Sequence, residues 1–144
     1  MKQWTRYVSF LMAAVMLLAT PAFAAENVTP RASDYIMSTC VYLDQTSGTQ
    51  FDVWYEVIAL GLMDEVGAYR IRIQESTNGS SWTTVYTFTP EDEPSIVKED
   101  SNYHVGYVSY TGVAGRYYRA KITLFAENST GRGEVVTYTE TLKL

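Results

Sequence analysis

Residues 117–128, Tyr117-Tyr118-Arg119-Ala120-Lys121-Ile122-Thr123-Leu124-Phe125-Ala126-Glu127-Asn128, constrain the fold more than any other stretch of the chain. Tyr118, Ala120, Ile122, Leu124 and Ala126 fall on one parity, with Arg119, Lys121 and Thr123 on the other. A period of two with one apolar side marks a strand that buries one face. Asn128, Ser129, Thr130 and Gly131 end it in a polar turn, and a second alternating run over 134–142 returns along it as a hairpin. No segment sustains the 3.6-residue spacing of an amphipathic helix.

The rest of the chain repeats this pattern. A β-rich run over 35–43 ends in the turn cluster Asp44-Gln45-Thr46-Ser47-Gly48. A second strand is predicted over 51–60, with Phe51, Val53, Tyr55, Val57 and Ala59 on one side. Its other side mixes Asp52 and Glu56 with Trp54, Ile58 and Leu60, so it is either covered or carries an exposed apolar spot. Met63-Asp64-Glu65-Val66-Gly67 breaks the alternation. Tyr69, Ile71 and Ile73 then alternate with Arg70, Arg72 and Gln74 as a third strand. Asn78-Gly79 is a strong hairpin signal leading into a fourth strand through Trp82, Thr84, Tyr86 and Phe88. The acidic segment 90–102 contains Pro94 and lacks periodicity, which predicts the longest loop. A fifth strand follows over 103–110. Seven short strands at intervals of ~8–15 residues predict an all-β, seven-stranded antiparallel β-sandwich over 34–144.

The chain opens with Lys2 and Arg6, an apolar run over 8–19, and Ala22-Phe23-Ala24 after Pro21. This order is that of a secretory signal peptide, so residues 1–24 are expected to be removed and 25–33 to form a flexible leader. The expected localisation is secreted, with no membrane insertion after cleavage, since a spanning helix needs ~20 apolar residues. Cleavage removes two cations and no acid, so the formal charge of −5 becomes more negative by two. That balance disfavours nucleic acid as a partner. Cys40 is the only cysteine, which excludes an intrachain disulfide. It reads first as a buried inert thiol in a strand, and otherwise as the link of a disulfide-joined dimer of an otherwise monomeric chain.

The final hairpin, an alternating strand opening on Tyr118 and closing on Ala126-Glu127-Asn128 with Gly131 after it, resembles the F–G hairpin of fibronectin type III domains. That resemblance implies an immunoglobulin-like sandwich in which the third and sixth strands are neighbours. It departs from the family in a Tyr-to-Ala spacing two residues longer than usual. As a whole, the chain also resembles short secreted proteins of gut Gram-positive bacteria grouped as a domain of unknown function. Its cues are Arg31-Ala32-Ser33-Asp34-Tyr35, Met63-Asp64-Glu65-Val66-Gly67-Ala68 and Asn102-Tyr103-His104-Val105-Gly106. Ser76-Thr77-Asn78-Gly79-Ser80-Ser81-Trp82 is similar to the Asp-box hairpin with Asn for Asp, and one copy in a chain this short implies a tight turn.

Little in the chain points to catalysis. His104 is the only histidine, which excludes a His–His metal pair, and it reads as an exposed or hydrogen-bonded imidazole. No serine lies in a nucleophile elbow, no glycine run forms a phosphate loop, and no acidic run has calcium-loop spacing. A non-enzyme without cofactor or metal is expected. Neighbouring third and sixth strands would gather Arg70, Arg72, Tyr117, Arg119 and Lys121 on one outward face, with Phe125 nearby. Such a patch would suit an acidic glycan or an anionic protein surface. The competing expectation is that Glu75 or Glu134 pairs with these cations. The expected function is therefore a secreted, non-catalytic binding module for a protein or cell-surface partner. The alternatives are a carbohydrate-binding module that uses Trp54, Trp82 and tyrosines, and a self-assembling extracellular protein.

Overall fold

The computed structural model describes residues 34–144. The expected signal peptide and leader lie outside the described residues. The chain forms one antiparallel sheet of seven strands, strongly curled. These are β1 (Ile36–Ser47), β2 (Gln50–Ser76), β3 (Thr83–Phe88), β4 (Val97–Thr111), β5 (Tyr117–Asn128), β6 (Gly131–Tyr138) and β7 (Leu142–Lys143). A 3₁₀ turn, Pro94–Ile96, precedes β4.

The strand number matches the expectation, but the seven strands are not the same seven. Two predicted strands, 51–60 and 69–74, are one continuous β2 of 27 residues. The segment Met63-Asp64-Glu65-Val66-Gly67 does not interrupt it, because that segment pairs with β4 and, from Glu65 on, with β5. The ladders are irregular between Ile58 and Met63 and between Ala68 and Arg70, and the buried positions pass from odd (Ala59, Met63) to even (Val66, Ala68) and back to odd (Ile71). A bulge adds an unpaired residue and bends the strand, so alternation is lost while the strand goes on. The predicted loop over 90–102 is likewise shorter than expected. From Val97 onward it is strand, and Val97, Lys98, Glu99 and Ser101 pair with β2. The count returns to seven through β7, which pairs with Tyr117 and Tyr118 of β5.

β2 and β4 turn the corner together. The first half of β2 (50–58) lies between β1 and the later part of β4, as in the pairs Val41↔Tyr55 and Tyr55↔Gly106. The second half (65–76) lies beside β5, which in turn pairs with β6, and beside β3 over 71–75. Curling brings the inward faces of the two halves onto one core. Phe51, Val53, Tyr55 and Val57 from the first half share it with Ile71, Ile73, Tyr118 and Ile122 from the second. The Phe51 and Tyr118 rings meet at 5.3 Å. The inward assignment of Tyr118, Ala120, Ile122, Leu124 and Ala126 holds, since all five are fully buried. At the corner, Leu60 and Leu62 are 56% and 71% exposed, so the apolar side of the second predicted strand emerges as a surface spot.

Tyrosine hydroxyls fasten both halves. Tyr55 Oη donates to Ile96 O at 3.0 Å, and His104 Nε2 lies 3.0 Å from that hydroxyl and 3.2 Å from Ser95 O. Ser95 O can only accept, which places the imidazole proton on Nε2. Burial is the first cause holding the His104 pKa below its ordinary value. The Tyr55 ring crosses β4 at Gly106, where a Cβ would come within 2.3 Å of Tyr55 Oη. In the second half, Tyr118 Oη accepts from the Val113 N–H at 2.8 Å and donates to Glu75.

Candidate functional site

The outward side of the second half is built by period-two alternation on paired strands. Arg72 lies opposite Lys121, Gln74 opposite Arg119, and Arg70 opposite Thr123. On β6, Tyr138 lies opposite Lys121. The structure therefore brings Arg70, Arg72, Arg119 and Lys121 onto one face of adjacent strands. Tyr117 sits at its end, beneath the Asn78 turn and under the Lys143 ammonium at 5.2 Å. Phe125 does not join the face as an exposed ring: it is buried beneath Tyr69 and Arg132.

The expected acidic partners go elsewhere. Glu75 pairs with Arg116 at 3.3 Å, while Glu134 and Glu127 both pair with Arg132, at 2.8 and 2.9 Å. Among the described residues, no carboxylate forms a salt bridge with Arg70, Arg72, Arg119 or Lys121. Their neighbours are aromatic instead. The Arg119 guanidinium lies 4.4 Å from the Trp82 ring centre and 4.8 Å from that of Tyr138, and its Nε donates to Gln74 at 2.8 Å. Lys121 Nζ lies 5.5 Å from the Tyr138 ring, and Arg70 lies 5.4 Å from that of Tyr69. Cations over aromatic faces keep their full charge while the rings fix their position.

Trp82 reaches this face through two local devices. Asn78 Oδ1 accepts from the N–H groups of Ser80 and Ser81 at 2.9 Å each, and Ser76 Oγ accepts from Gly79 N–H. Gly79 supplies the left-handed φ of +73° that the turn requires. A register shift between Ile73 and Gln74 then breaks the parity of β3. Tyr86 and Phe88 pair with the inward-facing Ile73 and Ile71, whereas Thr84 pairs with the outward-facing Gln74. The alternate residues Thr84 and Tyr86/Phe88 of the predicted fourth strand are thus opposite residues of different faces.

The outward side of the first half differs in chemistry. Tyr42, Trp54 and Tyr107 occupy one row across β1, β2 and β4. Their rings stack at 6.2 Å (Tyr42–Trp54) and 4.7 Å (Trp54–Tyr107). Asp44 and Asp52 lie opposite each other in the next row, with Ser109 Oγ donating to Asp52 at 2.6 Å. On the other side of the stack, Glu56 accepts from Tyr103 at 3.2 Å. An open groove of about 660 Å³ is lined by Trp54, Tyr107, Phe88 and Glu93 among others. Cys40 lies on the exposed side of β1 opposite Glu56, so the buried reading of this thiol is overturned. β1 pairs only with β2, and Cys40 shares the outward parity of Tyr42.

Among the described residues, no group of three or more His, Cys, Asp or Glu side chains is placed to hold a metal ion. Comparison of the chain with protein-family models, with curated proteins and with solved structures found no match.

Proposed function

We propose that the protein is a secreted, non-catalytic binding module whose basic, aromatic-braced face receives an anionic partner. One observation carries this reading. Arg70, Arg72, Arg119 and Lys121 share one sheet face and, among the described residues, form no salt bridge with a carboxylate, in a chain of net charge −5. A solvated outer face needs no such sorting, because interspersed signs serve solubility equally well. Export rests on the basic start, apolar run and Ala22-Phe23-Ala24 exit of the first 24 residues.

We read the curled sheet as a β-sandwich of the fibronectin type III or immunoglobulin type. Two features support this: both inward faces feed one core, and Tyr118 bonds back to the backbone N–H of Val113 in the manner of a tyrosine corner.

Neutral sugar binding on exposed ring faces is the weaker reading. Trp82 has Arg119 over its ring, and Trp54 is stacked between Tyr42 and Tyr107, so neither indole offers an uncovered flat platform. An array of neutral and acidic glycans, paired with capture of anionic proteins, tests the proposal. Saturable binding confined to anionic ligands and lost in an Arg70→Gln/Arg72→Gln/Arg119→Gln variant is expected. Binding unchanged in that variant removes this face from the function.

A further inference from the structure

The two outward faces carry opposite charge in matching arrangements. On the second half, Arg72 faces Lys121 directly across the ladder; on the first half, Asp44 faces Asp52. Like charges placed directly opposite each other weaken a strand pair. Neither pair is neutralised by an opposite charge from within: among the described residues, no salt bridge involves Asp44, Asp52, Glu56, Arg72 or Lys121. Each pair also lies beside an aromatic cluster, Tyr42–Trp54–Tyr107 on the acidic face and Trp82–Arg119–Tyr138 on the basic one. Because both inward faces share one core, the two outward faces point away from each other.

We propose that the anionic partner of the basic face is the acidic outer face of a second copy of this chain, so that copies join head to tail. This rests on the reading of the basic face as a contact surface and names its occupant. Asp44, Asp52 and Glu56 of one copy would meet Arg72, Lys121 and Arg119 of the next, relieving both like-charge pairs at once. A heterologous contact of this kind builds rows of copies, or a ring where the rotation between copies closes, rather than a symmetric dimer. The acidic face spans roughly 20 Å along its strands and about 15 Å across three of them. That is well under the ~800 Å² per partner of a standard interface, so the contact is weak and governed by charge.

Sedimentation velocity of the secreted chain over a concentration series tests this, with reductant present to exclude Cys40 disulfides. The wild type should sediment faster as concentration rises at low salt, and should lose this behaviour in 1 M salt, where the screening length is about 3 Å. An Arg72→Gln/Arg119→Gln/Lys121→Gln variant and an Asp44→Asn/Asp52→Asn/Glu56→Gln variant should each remain monomeric. Mixed in equal amounts, they should form a discrete dimer, because each supplies the face the other lacks. A wild type that stays monomeric throughout overturns the inference, as do variants that associate like the wild type or a mixture that stays monomeric. Dextran sulfate binding separates the two readings. Capture of this polyanion by a monomeric wild type, lost in the Arg72→Gln/Arg119→Gln/Lys121→Gln variant, keeps the basic face as a contact site and discards only the second copy. A monomeric wild type that does not bind the polyanion discards both.

Discussion

The two halves of β2 are one continuous backbone, yet they present different surfaces. Inward, they are alike: Phe51, Val53 and Tyr55 in the first half and Ile71 and Ile73 in the second are buried in the same core. Outward, the first half shows Asp52, Trp54 and Glu56, and the second shows Arg70, Arg72 and Gln74. Burial constrains only one side of a strand, so the other side is free to carry charge of either sign. The difference teaches that the two halves of β2 carry outward charges of opposite sign, although an alternating mixture would fold at least as well.

The inward–outward division gives the largest predicted effect. Leu124→Ala should cost about 2–5 kcal/mol, because the side chain is fully buried, whereas Thr123→Ala on the outward side should stay within about 0.5 kcal/mol. Chemical denaturation measures both, and a Leu124→Ala loss under about 1 kcal/mol breaks the division. Tyr118→Phe should cost about 1–3 kcal/mol, since it strands the Val113 N–H and removes the bond to Glu75. Burial first, then the Glu75 bond, push the Tyr118 hydroxyl up to about 12. Its contribution is therefore fully present below the ordinary pKa of 10 and is lost as pH rises through about 12. Between pH 10 and 12 stability should therefore fall less in Tyr118→Phe than in wild type, and an equal fall would show that the hydroxyl contributes nothing.

Within the outward faces the effects are smaller. Trp82→Ala should cost about 0.5–2 kcal/mol through the lost Arg119 stack, and a neutral result would mean that the stack does not hold the guanidinium. Arg72→Glu turns a like-charge pair into an opposite one. It should raise stability by about 0.2–1 kcal/mol while weakening anion binding. Stability and binding that fall together would show that Arg72 serves the fold instead. His104 works in the opposite pH sense to Tyr118. Its lowered pKa means that its stabilising contribution is present above 6.5 and is lost as pH falls through the lowered value. Urea midpoints from pH 7.5 to 5 should therefore drop less in His104→Gln than in wild type, and an equal drop rules this contribution out.

The strands with unbroken alternation were legible from sequence. β5 and the second half of β2 announce their buried sides, and their pairing then places Arg70, Arg72, Arg119 and Lys121 together. What stayed hidden depends on register. The continuity of β2 is hidden because its buried positions pass from odd (Ala59, Met63) to even (Val66, Ala68) and back to odd (Ile71, Ile73), which removes the only local signal of a strand. The β3 irregularity sends Trp82 outward for the same reason. The Tyr42–Trp54–Tyr107 stack comes from three separate strands, and no single window of sequence contains it. The release of the basic cluster from Glu75 and Glu134 could not be foreseen either, because both acids are captured by other arginines, Arg116 and, farther along the same side of β6, Arg132.

Trp54 and Trp82 are the only tryptophans after residue 24, and each belongs to a different outer face. Their two indole N–H resonances can therefore be followed separately while dextran sulfate is titrated into a dilute, labelled sample. The Trp82 signal should move to saturation with that of Trp54 unchanged. Movement of Trp54 alone, or of neither signal, would contradict the assignment of anion binding to the Arg70/Arg72/Arg119/Lys121 face.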